Sequence, residues 1–419
     1  MPDRIEGFRM LGADEAEEFF FDLGPEDQAD LLLALPPAER RLWLRMLAPD
    51  DAADVIQAAD EEQRAPLLAL LDEQTRKEVS ALLAYAEDEA GGLMSSRYAR
   101  VRPDMSVDEA ISYLRRQALS SIEPETIYYV YVLDAQQRLS GVVSFRELFS
   151  APGDRPIREV MNSNVVTVPD EMDQEAVARV FAESDLLALP VIDENGVLKG
   201  IVTVDDIVDV VEEEATEDIQ KYGGMAALDE PYLRIDFKSL LKKRVVWLAV
   251  LFVGQMLTVS ALSAFQDQMV VVTALGLFVP LIISSGGNSG SQASTLVIRA
   301  MAVGEVRIRD WWRVARRELA AGLALGAVLG TLGMVRVMLG PQTGLVYDRG
   351  LAISMLGAVV ALSVVTVVCF GTLVGSMLPF VLRSTGLDPA SASAPLVATL
   401  MDVSGITIYF TIAAILLAS

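Results

Sequence analysis

The chain has 419 residues, 52% of them hydrophobic, with 58 Asp and Glu against 34 Lys and Arg, no His and a single Cys. That length exceeds what one core organises, and an acidic surplus of this size excludes a nucleic-acid binder, which meets phosphates with Lys and Arg. Lacking His and a second Cys, the chain has no imidazole or paired-thiolate site for zinc, copper or iron and no internal disulfide, so any metal it handles is held by oxygen.

The charge is unevenly divided. Residues 1–240 carry 51 acids and 22 bases, a net of −29, whereas residues 241–419 carry 7 acids and 12 bases, a net of +5. Two environments are implied, one aqueous and acidic, the other apolar. The opening 20 residues are acidic and lack the basic region of a secretory leader, so no cleaved signal is expected.

Residues 1–90 read as a small helical domain. Segments such as Pro25-Glu-Asp-Gln-Ala-Asp-Leu-Leu-Leu and Pro49-Asp-Asp-Ala-Ala-Asp-Val-Ile begin with Pro and acids, which favour a first helical turn. Leu and Ala then recur at helical spacing. An internal repeat of roughly 60 residues follows. Val132-Leu-Asp returns as Val191-Ile-Asp, and Leu139-Ser-Gly-Val-Val-Ser as Leu198-Lys-Gly-Ile-Val-Thr. Met94-Ser-Ser-Arg-Tyr-Ala-Arg-Val returns as Met161-Asn-Ser-Asn-Val-Val-Thr-Val. Each unit reads as strand, helix, two strands joined by a polar turn, and a helix. This arrangement resembles a tandem pair of CBS domains, 91–153 and 154–213, a module that often binds adenine nucleotides.

Residues 214–244 open on an acidic cluster at 212–218. From Leu228 a polar, partly amphipathic stretch leads to Lys242-Lys243-Arg244 and is expected to form a connecting helix at the membrane surface. Apolar runs then occupy 245–265, 269–283, 319–339, 351–382 and 395–418. Each is near or beyond the roughly 20 residues that a spanning helix needs, the second only if the Gly-rich stretch after it also lies at membrane depth. The fold class expected is therefore multi-domain: an all-α N-terminal domain, an α/β tandem pair, and an α-helical polytopic membrane domain of five spans in 245–419. Arg299, Arg307, Arg309, Arg313, Arg316 and Arg317 lie between spans two and three, and the link between spans one and two has no base. The positive-inside rule then places the N-terminal half in the cytoplasm and the C-terminus outside the cell membrane.

Two membrane segments carry chemistry. Ser284-Ser-Gly-Gly-Asn-Ser-Gly-Ser-Gln-Ala-Ser follows Pro280 and is expected to loosen its helix, so it must face protein or a wet cavity rather than lipid. Gly286, Gly287, Asn288 and Gly290 are its pore-lining candidates, and close helix packing is the competing role. Asp402 lies mid-span, where an ionised acid costs about 2.5–3.5 kcal/mol on insertion scales. A carboxylate facing water there attracts a cation; a helix–helix hydrogen bond or an ion pair with Arg336 are the structural alternatives. Mg²⁺, which dehydrates reluctantly, suits a ring of carboxylates and carbonyls around a largely hydrated ion. Asp388, in the preceding link, would concentrate cations if it lies near a pore mouth, an ordinary loop Asp being the competing reading.

The order of these domains, with Gly286-Gly-Asn-Ser-Gly-Ser-Gln and Pro395-Leu-Val-Ala-Thr-Leu-Met-Asp402, is similar to that of the MgtE family of Mg²⁺ channels. The resemblance implies a homodimer with one pore on its two-fold axis. Asp402 and the Ala398 carbonyl would form the selectivity site, with Asp388 near the inner mouth. It also implies Mg²⁺ bound between cytoplasmic domains to close the pore. Glu18, Asp50, Asp54, Asp193, Asp205 and Asp229 are the matching candidates, joined by Glu213, Glu217 and Asp218 of the acidic cluster. Asn195 and Ala226 stand where further acids are expected. ATP or another adenine nucleotide would meet Tyr129, Arg146 and Glu147. Transport of Mn²⁺ or Co²⁺ beside Mg²⁺ stays open at this level, as does Na⁺-coupled Mg²⁺ transport in place of a channel. A membrane-anchored nucleotide sensor or enzyme is the other class. No Walker A, kinase or nucleophile–base motif supports an enzyme.

Overall fold

The computed structural model describes residues 7–118, 126, 128–228, 232–266, 273–340 and 353–417. The chain divides into two compact units, Met1–Glu212 and Glu213–Ser419.

The first unit begins with six short helices: α1 (Ala13–Phe21), α2 (Pro25–Ala34), α3 (Pro37–Leu44), α4 (Pro49–Ala58), α5 (Glu61–Leu68) and α6 (Glu73–Leu82). Proline occupies the first position of α2, α3 and α4 and acids follow it, as the sequence leads one to expect. Each helix turns one apolar face inward; α4 buries Ala52, Ala53, Val55 and Ile56. This core is continuous with Val177, Leu189 and Val202 of the second α/β repeat. The half-buried Arg97–Glu78 pair at 3.6 Å and the Tyr85 hydroxyl donating to Asp170 at 3.2 Å tie the same surfaces.

The repeat folds as its sequence echo implies. The first copy runs β1 (Arg100–Val101), α7 (Val107–Ala118), β2 (Tyr129–Leu133), β3 (Leu139–Ser144) and α8 (Phe145–Ser150). The second runs β4 (Val168–Pro169), α9 (Gln174–Ser184), β5 (Ala188–Ile192), β6 (Leu198–Thr203) and α10 (Val204–Tyr222). Each makes a three-stranded sheet with one parallel and one antiparallel pairing. Tyr129 pairs with Ser144 as Ala188 pairs with Thr203, and the register slips at Val132/Leu133 and again at Val191/Ile192. The copies clasp each other reciprocally. Val142 exchanges backbone hydrogen bonds with Asn162, and Ile201 with Ser95. A methyl on Gly141 would meet the Met161 sulfur at 2.7 Å, and one on Gly200 the Met94 sulfur at 2.8 Å. Those are the Met and Gly positions that the sequence repeat aligns, and only a side chain reduced to hydrogen admits the thioether.

Helix α10 carries the acidic cluster and ends at Gly223-Gly224, where Gly224 takes φ 76°. Of the connecting helix expected from Leu228, the described residues 232–236 are not helical. Asp236 instead caps α11 (Phe237–Ala264) by accepting from the Lys238 amide at 2.9 Å, and Lys242, Lys243 and Arg244 lie within that helix. A Lys243 ammonium that reaches back to the Ala227 carbonyl leaves the basic run no need of a separate surface helix. Next come α12 (Thr273–Ala302), α13 (Trp311–Leu339), α14 (Ile353–Ser384) and α15 (Ala394–Leu417). Four of these five helices, all but α12, are both long and apolar enough to cross a membrane. The 30-residue α12 has the length, but its Gly and Ser dilute its apolar character.

The expected loosening of α12 is not found: the helix runs unbroken through Pro280 and the whole Ser284–Ser294 stretch. Two features compensate. Ser285 and Ser289 return their hydroxyls to carbonyls of the turn before, at 2.7 and 2.8 Å, satisfying their own polarity inside the helix. The glycines bring α12 and α14 into backbone contact, so that a methyl on Gly371 would lie 2.5 Å from the Gly286 carbonyl oxygen. Gly375 meets the Gly290 carbonyl still more closely. In α13, Gly326 and Gly330 face Val365 and Ala361 of α14 in the same way, at 2.9 and 2.8 Å. Without a hydrophobic drive between helices in lipid, such close approach is a main source of their adhesion.

Candidate functional site

The two membrane motifs meet. Gly287 lies opposite the Cα of Ala398, Gly286 opposite Met401 and Val367, and Gly290 opposite Val397 and Gly371. Three of the four glycine-stretch candidates thus pack against α14 and α15. Asn288 is exposed, its amide reaching Ser284 at 3.4 Å. Asp402 sits mid-helix in α15 and is half-buried. Its Oδ2 accepts from the Gln255 amide of α11 at 3.0 Å. Arg336 is therefore not its partner.

At the other end of this unit, the tip of α10 rests against the membrane helices. Tyr222 donates to the Ser291 carbonyl at 2.8 Å and accepts from Thr295 at 2.5 Å. Lys221 pairs with Asp388 at 2.6 Å and also with Glu217, one turn back on its own helix. Burial opposes the Lys221 charge, but hydrogen bonds and attraction from Asp388 and Glu217 outweigh it and hold its pKa above the usual lysine range. The other oxygen of Asp388 caps the short turn that leads into α15, accepting from the Ala390 amide at 2.8 Å. Asp388 thus presents a neutralised carboxylate, where the sequence leads one to expect a bare one. Glu213 and Asp218 lie on the same helix α10.

The cytoplasmic candidates are spread out. Glu18 is exposed on α1, and Asp50 and Asp54 lie one turn apart on α4. Asp193 is committed to its own turn, accepting from the Asn195 and Val197 amides at 2.9 Å each and pairing with Lys199 at 3.2 Å. The Val197 amide, outweighing burial, and Lys199 hold its carboxyl below the usual carboxylate range. Asp229 falls outside the described residues. Among those described, no three acids converge tightly enough to hold a metal. On α4, partial desolvation pushes the Asp51 carboxyl above the usual carboxylate range, a hydrogen bond with the Ala48 backbone partly offsets this, and repulsion from the Asp205 carboxylate adds to it. In the first repeat, Glu147 receives both the amide and the hydroxyl of Ser144, at 2.9 and 2.7 Å. Asp206 holds Thr203 likewise in the second. Tyr129 is half-buried at the start of β2, and Arg146 is exposed one residue before Glu147. An aromatic face, a cation and a carboxylate with one oxygen to spare suit a base, a phosphate and a ribose hydroxyl.

Family models match nearly the whole chain: the MgtE intracellular N domain over residues 1–88, the CBS domain over 90–154 and 157–213, and a divalent cation transporter, MgtE, over 279–412. The magnesium transporter MgtE of Thermus thermophilus is 46% identical over 411 residues, covering 97% of this chain and 88% of that protein. The chain belongs to the MgtE family. The magnesium transporter MgtE of Bacillus subtilis is 32% identical over 417 residues, 99% of this chain and 89% of that one. Among solved structures, the cytosolic domain of the Mg²⁺ channel MgtE in complex with ATP is similar at 46% identity and a TM-score of 0.47. It covers 50% of this chain and 84% of its own.

Three MgtE-unit residues escape a reading of the sequence. Gln255 is one polar residue in an apolar run, which packing alone explains until its partner is seen. Lys221 is one of only two bases between Asp185 and Arg234, and its i,i+4 spacing from Glu217 is a signal. Asp51 is hidden by its neighbour Asp50, and nothing in the residue order says which of the two faces Asp205.

Proposed function

We propose that this chain is a Mg²⁺-selective channel of the cell membrane, closed by Mg²⁺ on its cytoplasmic side. The observation that carries the reading is Asp402: a mid-span carboxyl group at the meeting of the two family motifs, held by a neutral amide that brings no opposing charge. A homodimer would set two such carboxylates about one axis. A hydrated Mg²⁺, bound through its waters and through carbonyls such as that of Ala398, matches that sparse and hard donor set. The arginines between α12 and α13 support an N-terminal half in the cytoplasm and a C-terminus outside.

The test is Mg²⁺ flux through the purified full chain in liposomes, with Mg²⁺ varied separately on each side. Inward flux should saturate with outside Mg²⁺ and fall as the cytoplasmic side is loaded. Unitary currents in a planar bilayer, independent of Na⁺, are expected. Flux that requires a Na⁺ gradient and gives no unitary current identifies a coupled transporter instead.

The finer reading places an adenine nucleotide in the first CBS repeat. Tyr129 would stack on the base, Glu147 accept from the ribose, and Arg146 meet the phosphates. Calorimetry on the full chain should give a binding isotherm with Mg²⁺–ATP, and Arg146→Ala should weaken it roughly tenfold, as loss of one charged hydrogen-bond donor implies. Equal affinity in the variant removes Arg146 from the site.

A further inference from the structure

Helix α11 meets α15 along a single stripe. Leu251 is buried, Gly254 brings Thr399 to 3.0 Å of where its methyl would stand, and Leu262 packs on the cluster that includes Phe410. Gln255 lies on that stripe, and its Nε2 donates to Asp402 Oδ2 at 3.0 Å. Thr258, one turn on, has a buried hydroxyl with no partner among the described residues, so it does not compete for the carboxylate. Gln255 is then the one side chain among the described residues that bonds Asp402.

The chemical type of this partner matters. Lys or Arg in its place would cancel the charge that attracts a cation, as Lys221 does at Asp388. An apolar residue would leave the carboxylate without this donor and free to turn between rotamers. An amide fixes the carboxyl group without adding an opposing charge. One oxygen is occupied, and Oδ1 is left to accept from the water shell of an ion. Such an arrangement favours a small divalent ion that keeps its waters in a defined geometry over a monovalent ion that sheds them easily.

We propose that Gln255 is a positioning residue for the pore carboxylate, and that its amide sets the preference of the pore for divalent over monovalent cations. This rests on Asp402 being the pore acid. Gln255→Met keeps the length and most of the volume of the side chain but removes the donor, so packing survives and the hydrogen bond does not. In liposomes holding the purified full chain, Gln255→Met should raise the half-saturating outside Mg²⁺ roughly tenfold, as loss of a charge-assisted bond implies. The maximal rate should change less, and a Na⁺ flux absent from the parent should appear. Gln255→Asn, one methylene too short to reach, should do the same and serves if the Met variant misfolds. In an Asp402→Asn background, Gln255→Met should add nothing to either quantity.

Half-saturation and Na⁺ exclusion equal to the parent in both single variants overturn the proposal. So does an effect of undiminished size in the Asp402→Asn background, which makes Gln255 a packing residue. Asp402→Ala, run alongside, separates this failure from that of the pore reading. A dead Asp402→Ala with a parent-like Gln255→Met removes only Gln255, whereas a conducting Asp402→Ala removes the pore assignment itself.

Discussion

Asp402→Ala should reduce Mg²⁺ flux to that of empty liposomes while the protein still purifies in its parental assembly. The alanine removes the one carboxylate placed mid-span in α15 and leaves the Gln255 amide without an acceptor. The surrounding packing, Val397, Met401 and Ile406, is apolar and unchanged, so the fold should hold. Asp402→Asn is the sharper variant. It keeps an oxygen but loses the charge, so residual flux is expected with poor discrimination between Mg²⁺ and Na⁺. Parental conduction in the alanine variant would falsify the pore assignment.

The second large effect lies in the acidic half. Residues 1–240 carry a net of −29, and a homodimer doubles it. Left alone, such charge repels itself and favours separated domains. Divalent ions bridging carboxylates bind the gathered state better than the separated one, which is all that closure requires. Replacing Asp50, Asp54, Asp193 and Asp205 together by Asn should raise the cytoplasmic Mg²⁺ that halves the flux by roughly tenfold, or about 1.4 kcal/mol in the closing equilibrium. Asn is chosen because its amide oxygen can still receive the Asn195 and Val197 amides that Asp193 now holds. Removing residues 1–213 should abolish closure. If both variants shut at the parental Mg²⁺ concentration, the acidic half is not the sensor.

Much of this architecture was legible because it repeats. Two copies of one strand–helix–strand–strand pattern carry their own control, and the paired registers and reciprocal Met–Gly contacts follow from it. Prolines at helix starts worked for a local reason, since their effect needs no partner. The glycine stretch of α12 is misleading in the sequence because Gly and Ser taken singly signal a loosened helix. In place they are half of an interface, and the other half, Gly371 and Gly375, lies more than 80 residues away. The surface helix expected from Leu228 failed on one residue, Asp236, which caps the next helix early enough to absorb the basic run. Asp402 is visible in the sequence by its acidic side chain in an apolar setting. Gln255 is not, because a neutral amide in a span has many ordinary uses. Near the tip of α10 the acids are visible as a cluster, but pairing is a property of space, and Lys221 bridging Glu217 and Asp388 cannot be read from order alone.

The backbone contact between α12 and α14 has a mechanical consequence. With glycines spaced four apart on both helices, the seam works like a ratchet with one tooth: a slip of one residue along α14 would drive Thr372 and Ser376 into carbonyls that now accept only hydrogen. Helix α13 is locked to α14 by Gly326 and Gly330 on the opposite side. These three helices therefore form a stator that can tilt as a body but cannot shear. At the seam of α11 with α15, by contrast, a methyl on Gly254 would meet only the Thr399 methyl, at 3.0 Å, so that seam is freer to slide.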